Sequence, residues 1–307
     1  MNIKDIKKID MHAHAKLHPE LAPDRPGIEP CILSREQVLE VYDKINIETG
    51  VLLPCVDLVG TTTLLPCEDN KIMADRSNGR FKWFFNLSPK TYINSATADL
   101  SSFFEHYLKL GAKGVGEVTS NLYADDPKMD NLFRHCSDFK LPVIIHMHTE
   151  FDRSYGIVDD LHLPRLEKML KKHKDMKILG HSVVFWSEIS GDVTEATREN
   201  NNKGKVTDGG AIVNLMREYG NLCCDISAGS GWNAMTRDKE FTARFFEEFA
   251  DRIYYGCDVC TLQNVFQYDF SDFLENMVKD GYLSIENYAK IVRNNAAEIL
   301  DMPKYEF

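Results

Sequence analysis

The chain has 307 residues, 43% of them hydrophobic, and a formal charge of −11. That length buries a large core and fits one big α/β barrel or two ordinary domains. The acidic balance argues against nucleic acid and anionic membrane surfaces as partners, and no run of about 20 apolar residues could span a bilayer. The one dense basic stretch, Lys168 to Lys177, reads as the solvated face of a helix. At the N-terminus, MNIKDIKKIDMHAH places charges where a signal peptide needs an apolar stretch. Eight cysteines are scattered, several within apolar runs such as those around Cys55, Cys223, Cys224 and Cys257. Both features point to a reducing, cytoplasmic setting with buried free thiols. Cys257 and Cys260 form a CxxC without a second pair at zinc-finger spacing, which reads as core packing.

In chain order, a short apolar run is repeatedly followed by a segment with helical spacing. The candidate strands are Lys7–His14, Thr49–Val56, Phe81–Leu87, Ala112–Val118, Pro142–His148, Lys177–His181, Leu222–Ile226 and Ile253–Val259. Between them lie helical patterns at Arg35–Asn46, Glu68–Ser77, Leu100–Leu110, Met129–Phe139, Leu163–His173, Gly210–Tyr219 and Asp238–Phe249. A tail helix covers Ile285–Leu300. No linker or internal repeat divides the chain. Strands alternating with helices imply parallel pairing, and eight such units close into a (β/α)8 TIM-like barrel of typically about 250 residues. The expectation is a single barrel domain over residues 1–307. The longest interruption, Ser182 to Gly209, carries Gly191, Gly204, Gly209 and the run Asn200–Asn202, and reads as a lid at the catalytic face.

Four strands end in a metal-ligand residue type. The first ends Asp10-Met11-His12-Ala13-His14, and the alternation of a strand aims His12 and His14 together into the barrel mouth. The fifth ends His146-Met147-His148, the sixth Gly180-His181-Ser182, and the eighth Gly256-Cys257-Asp258. Imidazoles with a carboxylate suit a zinc-class cation. A lone buried His is usually a satisfied core residue; four at matched strand ends, with an Asp on the last strand, argue against coincidence. Strand four ends Gly116-Glu117-Val118, where Glu117 is either a ligand, a solvated strand-end carboxylate or the partner of a His. His148 shares a face with His146 and either reaches the site or turns away with its loop. Trp186 either walls a substrate pocket or anchors the loop. Asp57 and Asp225 read as structural, and His18, His106, His135, His162 and His173 as surface residues.

This ordered set resembles the amidohydrolase superfamily along the whole chain, from Asp10 to the tail Asn294–Leu300. It is most similar to the amidohydrolase-related branch, which holds hydrolases, lactonases and metal-dependent decarboxylases. The resemblance implies that His12, His14, His146 and Asp258 hold a divalent cation, zinc in the first instance. His181 would then hold a second cation or touch substrate. Glu117 resembles the bridging Glu of TatD-like nucleases, whose strand also ends Gly-Glu. The activity so implied is hydrolysis of a small-molecule amide, ester or lactone by a water whose pKa the cation lowers from 15.7 toward about 7. Asp258 would move the proton and His181 would polarise the carbonyl. Two rival readings are non-oxidative decarboxylation of a small carboxylic acid and a barrel without catalysis that acts as a binding protein. Assembly into a homo-oligomer is left open.

Overall fold

A computed structural model describes residues 2–21, 32–57, 63–151 and 155–307. Its strands are β1 (Lys8–Ala13), β2 (Ile47–Leu52), β3 (Phe81–Trp83), β4 (Val115–Val118), β5 (Pro142–His148), β6 (Ile157–Val158), β7 (Lys177–His181), β8 (Leu222–Asp225) and β9 (Ile253–Tyr254). All pairings between them are parallel. They form two arcs, β1-β2-β3 and β4-β5-β7-β8-β9, with β6 alongside β5. The arcs meet at two seams. At one, Phe85 bridges Val115, with Phe85 N donating to Gly114 O at 3.0 Å. At the other, Met11 N donates to Tyr255 O at 3.0 Å and Asp258 N to His12 O at 2.9 Å. The eight predicted strands therefore close into a barrel; β6 is an extra that the alternation pattern did not signal.

The barrel interior is filled by Ile9, Met11, Val51, Leu53, Phe84, Ile144, Leu179, Cys223 and Tyr254. Branched and aromatic side chains of this kind pack in layers inside such barrels. Helices cover the outside and bury a second, larger apolar cluster against it. The covering helices begin where local chemistry favours it. Ser34 and Gln37 form a reciprocal cap on α1 (Arg35–Lys44), and Asp126 caps α4 (Pro127–Asp138), whose first residue is proline. Between them lie α2 (Cys67–Asp75) and α3 (Ser101–Lys109), and after β6 comes α5 (Pro164–Lys172). The second half carries α6 (Val183–Ser187), α7 (Ala211–Glu218), α8 (Ala228–Thr236), α9 (Lys239–Phe249) and α10 (Phe266–Lys279).

The predicted tail helix is α11 (Ile285–Ala289) running through a π-helical turn, Lys290–Asn294, into α12 (Asn295–Ile299). It closes the base of the barrel: Ala296, Ala297 and Leu300 join the interior cluster. The π turn leaves Ile291 O free to accept from Tyr255 N at 3.1 Å, tying the tail to the last strand.

Three expectations are corrected. The Ser182–Gly209 segment is pinned rather than lid-like: Arg198, 1% exposed, donates to Asp159 O and Asp160 O and lies 3.0 Å from buried Glu188. Buried His135 accepts from Leu100 N at 2.9 Å, so it is a core residue. Buried His173 sits 2.7 Å from Asp130, again not a surface residue. Among the described residues, no helix is long and apolar enough to cross a membrane.

Candidate metal centre

The interior stripe of β1 changes parity on its way to the mouth. Ile9 and Met11 fill the interior, whereas His12 and His14 take over above a register shift between Asp10 and Ala13. Such an irregularity re-aims the side chains beyond it. Asp10, turned away from the interior stripe, holds the shift in place. Its Oδ1 accepts from His12 N at 2.9 Å and Cys257 N at 2.8 Å, and its Oδ2 from the Tyr42 hydroxyl at 2.6 Å.

Each imidazole has one nitrogen occupied and the other presented. His12 Nδ1 faces Asp225 Oδ2 at 2.6 Å, and His14 Nδ1 faces Leu53 O at 3.0 Å. With those protons donated backward, both Nε2 lone pairs point into the mouth, 3.1 Å apart. Glu117 Oε2 lies 3.4 Å from His14 Nε2 and 3.7 Å from His12 Nε2. Asp258 Oδ1 lies 3.7 Å and 3.8 Å from the same two atoms. Tetrahedral ligands at about 2.0–2.1 Å from a cation are about 3.4 Å from one another. His12, His14 and Glu117 could therefore hold a divalent cation together, and Asp258 stands within 3.8 Å of both histidine nitrogens.

The other oxygen of each carboxylate faces a second set. Glu117 Oε1 is 2.8 Å from His146 Nδ1, and Asp258 Oδ2 is 3.7 Å from His181 Nε2. Glu117, His146 and His181 together can enclose an ion of their own. His181 Nδ1 has Ser227 Oγ at 3.0 Å and Asp225 Oδ2 at 3.4 Å, which again leaves Nε2 for the mouth.

Glycine permits these approaches at two points. Gly116 has φ +128°, and a Cβ there would stand 2.6 Å from Ile144 O; the next residue is Glu117. A Cβ on Gly256 would stand 2.8 Å from Ser227 Cβ and 3.1 Å from His12 Cβ. The glycine thus lets the Asp258 strand lie against His12.

Electrostatics agrees with a cation-binding centre. Burial works against a charge on His12 and on His14, yet both are held well above the usual imidazole value. On His12 the carboxylates of Asp258, Asp225 and Glu117 win; on His14, Cys55 acts first, then Glu117 and Asp258. Burial pushes Glu117 up, but His12, His14 and His146 hold it well below the carboxylate range. Burial and the neighbouring His12 push His181 down to about 4, so it is neutral and free to ligate. Without a cation, protons on His12 and His14 balance the carboxylates; a divalent cation satisfies the same charges in their place.

Of the sequence-predicted residues, His12, His14, Glu117, His146, His181 and Asp258 come together in the mouth. Glu117 is 4% exposed, which removes its solvated reading. His148 is half-buried at the end of β5, its Nδ1 accepting from Glu150 N at 3.2 Å. Trp186 does not wall the pocket: it is buried in α6 and donates to Asp225 O at 3.1 Å. Asp225 was read as structural, but it sets the orientation of both His12 and His181. Its signal was available, since LCCD ends in an acid at a strand terminus like the other site residues. Cys260, half of the CxxC, lies at the edge of the site, its Sγ 3.4 Å from Asp258 Oδ1.

A closed barrel of parallel strands with histidines and carboxylates gathered at the strand C-termini defines a TIM-barrel protein whose mouth collects residues that could hold a metal ion. No family model and no curated protein matches the sequence. Solved structures do match the fold. An uncharacterised TIM-barrel protein from Bordetella bronchiseptica has a TM-score of 0.65 at 16% identity, over 96% of this chain and 98% of that one. A 5-carboxyvanillate decarboxylase from Novosphingobium aromaticivorans, solved with bound manganese, has 0.61 at 15%, over 97% and 98%. A probable 2-pyrone-4,6-dicarboxylic acid hydrolase from Acinetobacter baumannii has 0.57 at 12%, over 96% and 100%. These likenesses show that the chain has the TIM-barrel fold, as the alternation of strands and helices predicts.

Proposed function

We propose that this protein is a metal-dependent hydrolase of a small-molecule amide, ester or lactone. In this reading two adjacent divalent cations, zinc in the first instance, are held by His12, His14, Glu117, His146, His181 and Asp258. The observation that carries the reading is the placement of Glu117, with Oε2 turned to His12 and His14 and Oε1 to His146. A carboxylate so divided suits a bridge between two positions, and paired cations suit water activation. When bound, they would supply Lewis acidity and acidify a water. The chain's own groups do the rest. Asp258 is the more open of the two carboxylates, 18% exposed against 6% for Glu117, so it can take the proton and return it to the leaving group. His181 is the better ligand than carbonyl-polarising group, because its Nδ1 is turned to Ser227 and Asp225.

Non-oxidative decarboxylation of a small carboxylic acid is the second reading, supported by the several decarboxylases among the structural neighbours. One experiment separates the two. Chelator-free protein is assayed for metal content and then offered small amides, esters, lactones and aromatic carboxylic acids, with acid release and carbon dioxide both measured. Hydrolysis predicts close to two metals per chain, falling toward one in Glu117→Gln, and acid release without carbon dioxide. Carbon dioxide from a carboxylic acid, with no turnover of the other classes, would replace the first reading with the second.

A further inference from the structure

Tyr155 is not part of the metal centre, yet its placement is tightly specified. β6 lies parallel beside the end of β5, with Met147 paired to Ile157 and His148 to Val158. Gly156 N donates to Thr119 O at 3.1 Å, and Val158 N to Leu122 O at 2.8 Å. Gly156 has φ +127°, and a Cβ on it would stand 2.9 Å from His148 Cβ, so the chain can lie this close only with glycine there. The result sets the Tyr155 ring over His146, centroids 4.5 Å apart. His146 in turn has its Nδ1 2.8 Å from Glu117 Oε1, so the ring borders the group of histidines and carboxylates at the mouth. The side chain is 37% exposed, so it borders both the centre and solvent.

A tyrosine hydroxyl is a hydrogen-bond donor. We propose that Tyr155 is a substrate-contacting residue whose hydroxyl donates to an oxygen of the substrate, the carbonyl oxygen or the oxyanion that replaces it. The inference rests on the metal-dependent reading of the site, and it assigns the substrate an acceptor oxygen on the His146 side of the mouth.

The test uses cobalt-loaded protein and two probes read by the visible spectrum. Acetohydroxamate brings an anionic oxygen to the centre; imidazole binds a cation through nitrogen alone. Hydrogen bonds to charged groups are worth about tenfold or more in affinity. Tyr155→Phe is therefore expected to weaken acetohydroxamate about ten- to a hundredfold and to leave imidazole unchanged. Equal acetohydroxamate affinity in wild type and variant overturns the proposal. So does an equal loss for both probes, which would mean a structural role. If wild type takes up no cobalt, the metal-dependent reading itself has failed, and that outcome is distinct from the other two.

Discussion

Replacing Asp225 tests whether the centre depends on groups behind its ligands. Asp225 and His12 are both wholly buried and meet at 2.6 Å, at the short end for a charge-assisted bond. The carboxylate does two things for His12: it accepts the Nδ1 proton, which presents Nε2, and its charge makes that lone pair more basic. Asp225→Asn keeps an accepting oxygen and loses the charge, whereas Asp225→Leu loses both. Groups of this kind are worth about 10- to 100-fold in metal affinity, or about 1.4–2.7 kcal/mol. Complete burial places the pair at the upper end, and Asp225 also reaches His181 at 3.4 Å. Asn is therefore expected to cost about tenfold and Leu about a hundredfold or more. Competition with a chromophoric chelator at fixed pH measures the affinity, and circular dichroism checks the fold. Wild-type affinity in both folded variants would refute the reasoning.

Three further outcomes follow from the same geometry. Metal affinity should rise with pH: His12 and His14, held above the usual imidazole value, carry protons in the cation-free protein that must leave as the cation enters. Two displaced protons give up to about a hundredfold per pH unit below their pKa values, and chelator competition at several pH values that shows no slope would contradict this. Tyr42→Phe removes the 2.6 Å bond to buried Asp10, at a cost of about 1–3 kcal/mol in denaturant unfolding. Burial already lifts Asp10 to about 6, and Tyr42 opposes that rise. Without Tyr42 the folded state holds its proton more tightly than the unfolded state does, so the loss should grow from pH 5 to pH 8. An equal loss at both would count against the sign. Gly256→Ala should cost about 1–3 kcal/mol in thermal unfolding and weaken metal binding, since its Cβ would crowd Ser227, Asp225 and His12. Unchanged stability and affinity would show that the strand can shift.

The barrel and the gathering of strand-end histidines and carboxylates were legible because both are written locally. A strand ends where its apolar run ends, and the residue type found there is visible without knowing what it will meet. Asp225 was not legible as the partner of His12, because 213 residues separate them and only closure of the barrel brings them to 2.6 Å. The lid reading of Ser182–Gly209 failed for a related reason: Gly and Asn suggested mobility, but one buried guanidinium, Arg198, fastens the segment to Asp159 and Asp160 and pairs within it to Glu188. His135 was a misreading of available signal, since it shares the apolar face of α4 with Leu132 and Cys136 by helical spacing. Residues 266–279 drew no helix prediction despite Phe266, Phe270, Phe273, Leu274 and Met277 at helical spacing; they form α10.

The two arcs of the barrel are joined by backbone bonds at two seams, and the proposed ligands stand beside them. The three-stranded arc contributes His12 and His14; the longer arc contributes Glu117 beside one seam, Asp258 at the other, and His146 and His181 between. Asn86 Nδ2 donates to Glu117 O at 2.5 Å across the Glu117 seam. A cation gripped by His12, His14, Glu117 and Asp258 would thus act as a clasp between two half-shells. Loading it should quiet the opening of the barrel itself, slowing hydrogen exchange at the amides of Met11, Phe85 and Asp258 more than at those within either arc. Stripping it should let the shell breathe at its seams before any helix loosens.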